Sequence, residues 1–259
     1  MDSIARHASP EKNSCAVHLY SAWYCPYAQR AWIALNFKRV DFHWVECTLY
    51  EGTPSSKRSL TIEEKENLTP GFTLYSPRGL VPAISHNGKG ICDSLSLIEY
   101  VEEAFESYNL YPLQDLVERA RIRTGISLFN ELIIRRFYTL LMSPSDASSA
   151  SLLGGLEEMA SYFTPSEKSQ GFFSSHGFSM FEVACLPWYQ RTLSVLKVYR
   201  NFSPSSPPCA RLSLWYDACL EVPAFSSTLV DEGELVANYS GYANDTANNN
   251  CSSLNKKGP

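Results

Sequence analysis

The sequence predicts a chain of two classes, an α/β first half followed by an all-helical second half. Three observations predict it. Residues 16–21 alternate as a short strand does and run directly into a helix-period segment at 26–37. The run Asn87-Gly88-Lys89-Gly90 is a hairpin signal between two apolar stretches. From Ile122 to Leu141, apolar residues stay on one helical face for about five turns.

The first half reads in order. Residues 16–21 (AVHLYS) form a strand, and 26–37 (PYAQRAWIALNF) a helix with Ala28, Ala31, Trp32 and Leu35 recurring at three and four. Pro26 suits the first helical position, where its missing N–H would have had no partner, so Cys25 falls at the N-cap. Residues 41–49 (DFHWVECTL) read as a second strand. The polar stretch 50–69 reads as loop with a short helix around 62–67. Residues 80–85 and 90–92 pair as an antiparallel hairpin, and 95–105 (LSLIEYVEEAF) is a helix with Leu97, Ile98, Val101 and Phe105 on its apolar face. The order β-α-β, then β-β-α, is that of a thioredoxin-type fold.

The second half is helical from Asp115 onward. Residues 143–149 are expected as loop, 152–163 as a helix and 203–208 as another loop. Ser179-Met180-Phe181-Glu182 is an S-x-x-E capping box before an apolar run that extends toward Tyr199, with Pro187 as a kink. Residues 212–220 form a further helix, 229–247 are weakly helical, and the ends 1–14 and 248–259 are expected to be flexible tails.

Composition narrows the function. The 259 residues carry a formal charge of −5 and are 44% hydrophobic, which supports a buried core and disfavours phosphate backbones or anionic lipid as partners. No apolar run reaches the roughly 18 residues of a membrane span, and residues 1–13 lack a signal-peptide core, so the expected location is cytoplasmic. The eight cysteines are scattered, without C-x-x-C or a Cys/His cluster, a spacing that rejects a zinc site.

Cys25 stands apart from the other seven. A helix N-terminus offers unpaired N–H groups and about half a positive charge, both of which favour a thiolate. Pro82 lies in a strand-like run (GLVPAIS, 79–85) and marks a strand edge or a special turn. As a cis residue it would turn the Val81 backbone toward a ligand for strand-like pairing; as a trans residue it is an ordinary edge. Asp93-Ser94 opens a helix, where it either holds a carboxylate or simply caps. Cys25, Val81 and Asp93-Ser94 fall in the order that a tripeptide thiol would need.

Cys25-Pro26-Tyr27-Ala28-Gln29-Arg30, Gly79-Leu80-Val81-Pro82, Asp93-Ser94, the segment 179–188 (SMFEVACLPW) and Pro223-Ala224-Phe225 together resemble the cytosolic glutathione transferase superfamily, over about residues 17–225. Among its classes the chain looks most like the omega-like, cysteine-type members, fungal ones included. The resemblance implies a thioredoxin-like, glutathione-binding domain over 15–108, an all-helical co-substrate domain over 115–247, and a homodimer. It implies glutathione as co-substrate and a hydrophobic small-molecule substrate between the domains; composition and cysteine spacing leave nucleic acid, membrane and metal as unexpected partners.

Val81, Pro82, Asp93 and Ser94 would cradle glutathione. The stretch between Cys25 and Val81 is longer than the class suggests, which leaves Lys57, Arg58 and Lys65 as candidates for its glycine carboxylate. Tyr24, Tyr138, Trp188 and Trp215 are candidates for the co-substrate wall. Ala28 stands where a dithiol protein needs a second cysteine, so Cys25 is expected to act alone, removing glutathione from glutathionylated small molecules through a mixed disulfide. Conjugation, a lyase or isomerase step on an aromatic secondary metabolite, and non-catalytic ligand binding are the alternatives.

Overall fold

In the computed structural model, which describes residues 16–163 and 169–244, strand β1 (Val17–Ser21) leads through four residues into helix α1 (Pro26–Phe37). β2 (His43–Glu46) returns parallel to β1, with His18 opposite His43 and Tyr20 opposite Val45. β5 (Ala83–His86) pairs antiparallel with β1, and β6 (Lys89–Cys92) with β5, giving the order β2-β1-β5-β6. Asn87 and Gly88 both hold positive φ, 51° and 77°, as the two-residue turn of a tight hairpin requires. The thioredoxin-type order expected from the sequence is present.

Alternation along β1 and β5 sends side chains to two faces. Leu19 and Ile84 join the large core beneath α1 and α4 (Ser94–Ala104). Tyr20 and Ala83 join a second cluster with Cys47 and Phe72, the latter from the single turn α3 (Phe72–Tyr75).

The stretch expected as loop departs from that reading. Residues 50–59 form a hairpin of their own, β3 (Tyr50–Thr53) and β4 (Ser56–Ser59), as a separate two-stranded sheet. It escapes sequence reading because 51–56 are all exposed, so no apolar alternation marks it. α2 (Ile62–Leu68) follows, opened by a Thr61/Glu64 capping box.

The second half is a helical array. α5 (Leu116–Phe129) passes through a π-turn (Asn130–Ile134) into α6 (Arg135–Met142), so the long apolar stripe is one continuous rod. α7 (Asp146–Ser161) begins inside the expected loop, because Ser145 and Ser148 form a capping box there. α8 (Met180–Arg200) is the central helix, buried along nearly its whole length. A 3-10 turn (Pro207–Cys209), α9 (Ala210–Leu220), α10 (Pro223–Ser226), α11 (Glu232–Asn238) and α12 (Ser240–Ala243) complete the described chain. The sequence-expected tails lie outside the described residues. Among the described residues, no helix is long and apolar enough to cross a membrane.

Glu182 shows why α8 starts where it does. Its fully buried carboxylate accepts from the Ser179 amide at 2.8 Å, the Ser179 hydroxyl at 2.6 Å, the Phe173 amide at 2.8 Å and the Trp215 indole at 3.0 Å. One acid thus satisfies donors from the helix start, the preceding loop and α9. Burial nevertheless pushes its pKa above the ordinary 4.5.

Glu182→Ala would strand these donors and should cost about 3–5 kcal/mol in urea unfolding, with Glu182→Gln costing less. An acid whose folded pKa is raised adds stability that is full below its unfolded pKa and is lost as pH climbs through the folded one. The stability advantage of the native chain over Glu182→Gln should therefore be larger near pH 4 than at pH 7. Equal differences at both would overturn this assignment.

Candidate active site

Cys25 is the N-cap of α1, with extended backbone (φ −82°, ψ 121°) and no side-chain capping bond. Its amide donates to the Ala22 carbonyl at 2.9 Å, and its carbonyl accepts the first helical bond from Gln29 at 3.0 Å. The backbone is therefore pinned on both sides of a half-buried thiol. Burial pushes the Cys47 thiol up to about 12 and raises those of Cys185, Cys209 and Cys219. Cys92, the other described cysteine that reaches solvent, lies on β6.

The Val81–Pro82 peptide bond is cis, which answers the question left open by the sequence. Neither the N–H nor the C=O of Val81 has a hydrogen-bond partner among the described residues. The segment before it is held from two sides. The Ser76 hydroxyl donates to the Leu80 carbonyl at 2.6 Å and accepts from the Leu80 amide at 3.0 Å. The buried Lys65 ammonium donates to the Gly79 carbonyl at 3.0 Å. Gly79 holds φ +58°, and a Cβ there would press on the Lys65 stem at 3.1 Å.

Lys57 and Arg58 point elsewhere. Arg58 is an exposed partner of Glu51 and Glu64, and Lys57 donates to Asn238. Asp93 caps α4, its Oδ1 accepting from the Leu95 and Ser96 amides at 3.2 and 3.0 Å. Ser94 is buried, and its hydroxyl accepts from Arg30 at 3.1 Å.

Tyr24, the residue before Cys25, and Tyr138, on α6, both couple electrostatically to Cys25. Burial raises the Tyr24 phenol, with Cys25 next and then Tyr50 adding to the rise. Tyr138, half-buried on α6, is raised well above its ordinary range by burial, then by Tyr239, Tyr27 and Cys25. Both stay neutral at physiological pH and can donate hydrogen bonds.

The two tryptophans do not face a cleft. Trp188 is fully buried against Tyr27 and beneath Arg30, and Trp215 is fully buried with Phe163, Phe181 and Tyr189. Their helices are enclosed by neighbours, so both indoles are core.

Sequence reasoning missed the groups that seat the site. Arg30, 2% exposed, donates to the Ala184 carbonyl at 2.8 Å, Ser94 at 3.1 Å and Asn130 at 2.8 Å, and lies 4.4 Å over the Trp188 ring. Burial pushes its pKa down to about 10, so it remains a cation at neutral pH. Arg191, 1% exposed, donates to the Tyr239 hydroxyl at 2.8 Å, the Gln29 side chain at 2.7 Å and the Tyr24 carbonyl at 3.0 Å. Gln29 in turn donates to Gln190 at 3.2 Å and Thr228 at 3.1 Å. A visible signal existed: the same dipeptide, Gln-Arg, interrupts both apolar helices at 29–30 and 190–191.

A mixed parallel and antiparallel sheet followed by a helical second half is the architecture of solved glutathione transferases, and here it carries a cysteine at the first helix start and a cis-proline before β5. Residues 19–109 match the family described as glutathione S-transferase, N-terminal domain. The chain is 28% identical over 221 residues to glutathione S-transferase L3 of Arabidopsis thaliana, covering 84% of each. The structure of glutathione transferase Omega 3C from Trametes versicolor aligns at a TM-score of 0.69 with 25% identity, over 90% of this chain and 92% of that one. A rice GST1 structure in complex with glutathione aligns in fold at 0.72 with 18% identity, over 88% and 96%. Residues 19–109 thus match the N-terminal domain of the glutathione S-transferases, and the chain along most of its length shares the fold of solved glutathione transferases.

Arg191→Met would leave the Tyr24 carbonyl, Gln29 and Tyr239 without their donor. We expect a stability loss of about 3–5 kcal/mol in urea unfolding. Faster hydrogen exchange of the Cys25 amide should accompany it. A full loss of stability with unchanged Cys25 exchange would show that Arg191 does not hold the thiol loop.

Proposed function

We propose that this chain is a glutathione-dependent thiol transferase of the cysteine type, removing glutathione from glutathionylated small molecules. One observation carries the reading: Cys25 is a half-buried thiol at the start of a twelve-residue helix, with a cis Val81–Pro82 segment in the same chain. The N-terminal end of α1 favours the thiolate. The main-chain groups of Val81 suit pairing with the extended glutathione backbone. Asp93 and Ser94 at the start of α4 would meet its γ-glutamyl end. Lys65 is the cation of the three candidates that touches the 79–82 segment, which favours it for the glycine carboxylate. The rice protein's complex with glutathione and the likeness to the Arabidopsis and Trametes proteins support the same ligand. The reading divides the chain into a glutathione-binding domain over 15–108 and a co-substrate domain over 115–247.

In the reaction, the Cys25 thiolate attacks the glutathionyl sulfur of the substrate disulfide. The new bond joins Cys25 to glutathione, and the substrate leaves as a thiolate that takes a proton. A second glutathione thiolate then attacks the mixed disulfide, releasing oxidised glutathione and restoring the Cys25 thiolate. Tyr24 and Tyr138 would line the co-substrate side as hydrogen-bond donors.

Cys25→Ala should lower thiol-transfer kcat/KM by at least about a thousandfold, because the covalent route is lost. Cys25→Ser should behave alike on disulfides and gain conjugating activity. After treatment with oxidised glutathione, intact-protein and peptide mass spectrometry should find one adduct, on Cys25. Predominant labelling of Cys92, or thiol transfer surviving in Cys25→Ala, would overturn the mechanism.

A further inference from the structure

The β3–β4 hairpin is exposed over residues 51–56, yet its Lys57 is only 6% exposed. The Lys57 ammonium donates to the main-chain carbonyl of Asn238 at 2.7 Å and to its side-chain oxygen at 3.0 Å. It also lies 4.8, 5.0 and 5.7 Å from the ring centres of Tyr242, Tyr50 and Tyr24. Two further links join the same pieces. The Tyr50 and Tyr242 hydroxyls are 2.8 Å apart, and the Gly241 amide donates to the Pro54 carbonyl at 3.0 Å. A hairpin that adds no strand to the main sheet is thus tied to α11 and α12, at the far end of the described chain.

The position of this tie gives it meaning. Tyr24 precedes Cys25, and its ring lies 6.4 Å from that of Tyr50. One side of the ammonium cage is therefore the aromatic wall next to the thiol. The remaining sides come from the hairpin and from α12. A desolvated ammonium over phenol faces is held by the ring quadrupoles as well as by its hydrogen bonds, and both vanish with the charge.

We propose that Lys57 is a positioning residue: it clasps the hairpin to the C-terminal helices and so sets the aromatic wall beside Cys25 against which a flat, bulky co-substrate rests. Its kinetic test rests on the thiol-transfer reading. Its structural test does not.

Lys57→Met keeps the apolar stem and removes the ammonium. The substrates are two mixed disulfides of glutathione, one with 2-mercaptoethanol and one with 2-naphthalenethiol. For the naphthyl adduct, KM should rise on the order of fivefold with kcat held within about twofold, the scale of one lost cation–π contact. For the small adduct and for glutathione, KM should change less than about twofold. Tyr242→Phe should shift the naphthyl KM in the same direction. A rise in glutathione KM would instead make Lys57 a direct glutathione ligand and overturn the clasp, as would equal losses on both adducts.

Hydrogen exchange supplies the activity-independent arm. In Lys57→Met, amides of 50–59 and of 232–243 should lose protection together while those of α1 keep theirs. Unchanged exchange in both segments overturns the proposal. Absence of thiol transfer in the native chain would defeat the function proposed above and leave this arm to decide the clasp.

Discussion

Two buried guanidinium groups, Arg30 on α1 and Arg191 on α8, hold the two halves of this protein in one geometry. Taking such a cation out of water costs several kcal/mol, and the cost is offset only when its N–H groups find acceptors. Arg30 finds a carbonyl, a hydroxyl, an amide oxygen and an indole face; Arg191 finds two carbonyls, an amide oxygen and a phenol. These acceptors come from β1–α1, α4, the π-turn, α8 and Tyr239 at the junction of α11 and α12. A shift between the halves beyond hydrogen-bond tolerance would leave a charge stranded, so α1 is fixed in rotation and in height.

The thiol loop and the start of α4 inherit that constraint. Arg191 grips the carbonyl of Tyr24, the residue before Cys25, and Arg30 grips Ser94, the first residue of α4. The thiol and the start of α4 are therefore placed by cations lying behind them in the core. Tyr138, whose phenol couples electrostatically to Cys25, lies on α6, beyond the π-turn whose first residue, Asn130, binds Arg30. In this arrangement the rigidity of the thiol loop comes from the core behind it.

Much of this was legible in the sequence. Pro26 and the period of 26–37 marked α1 and its N-cap cysteine, Asn87-Gly88 marked the β5–β6 turn, and Ser179 with Glu182 marked the start of α8. Each is a local signal, carried by dihedral preference or by a side chain reaching its own backbone within a few residues. Other features were not legible. The β3–β4 hairpin has no apolar face of its own, because its one buried side chain is a lysine satisfied by residue 238. Trp188 and Trp215 sit at helical spacings that a cleft or a core would satisfy equally, and only enclosure by neighbouring helices makes them core.

By itself, then, the sequence determined the two classes of structure, their order, and a cysteine placed at the start of a helix beside a proline-marked strand, since these depend on local backbone physics. The tertiary structure alone decided that the Val81–Pro82 bond is cis, that Lys65 serves the 79–82 segment while Lys57 turns toward the C-terminal helices, and that the Gln-Arg pairs of α1 and α8 interlock. Those outcomes depend on which acceptors burial brings together from positions far apart in the chain, and no local pattern encodes that meeting.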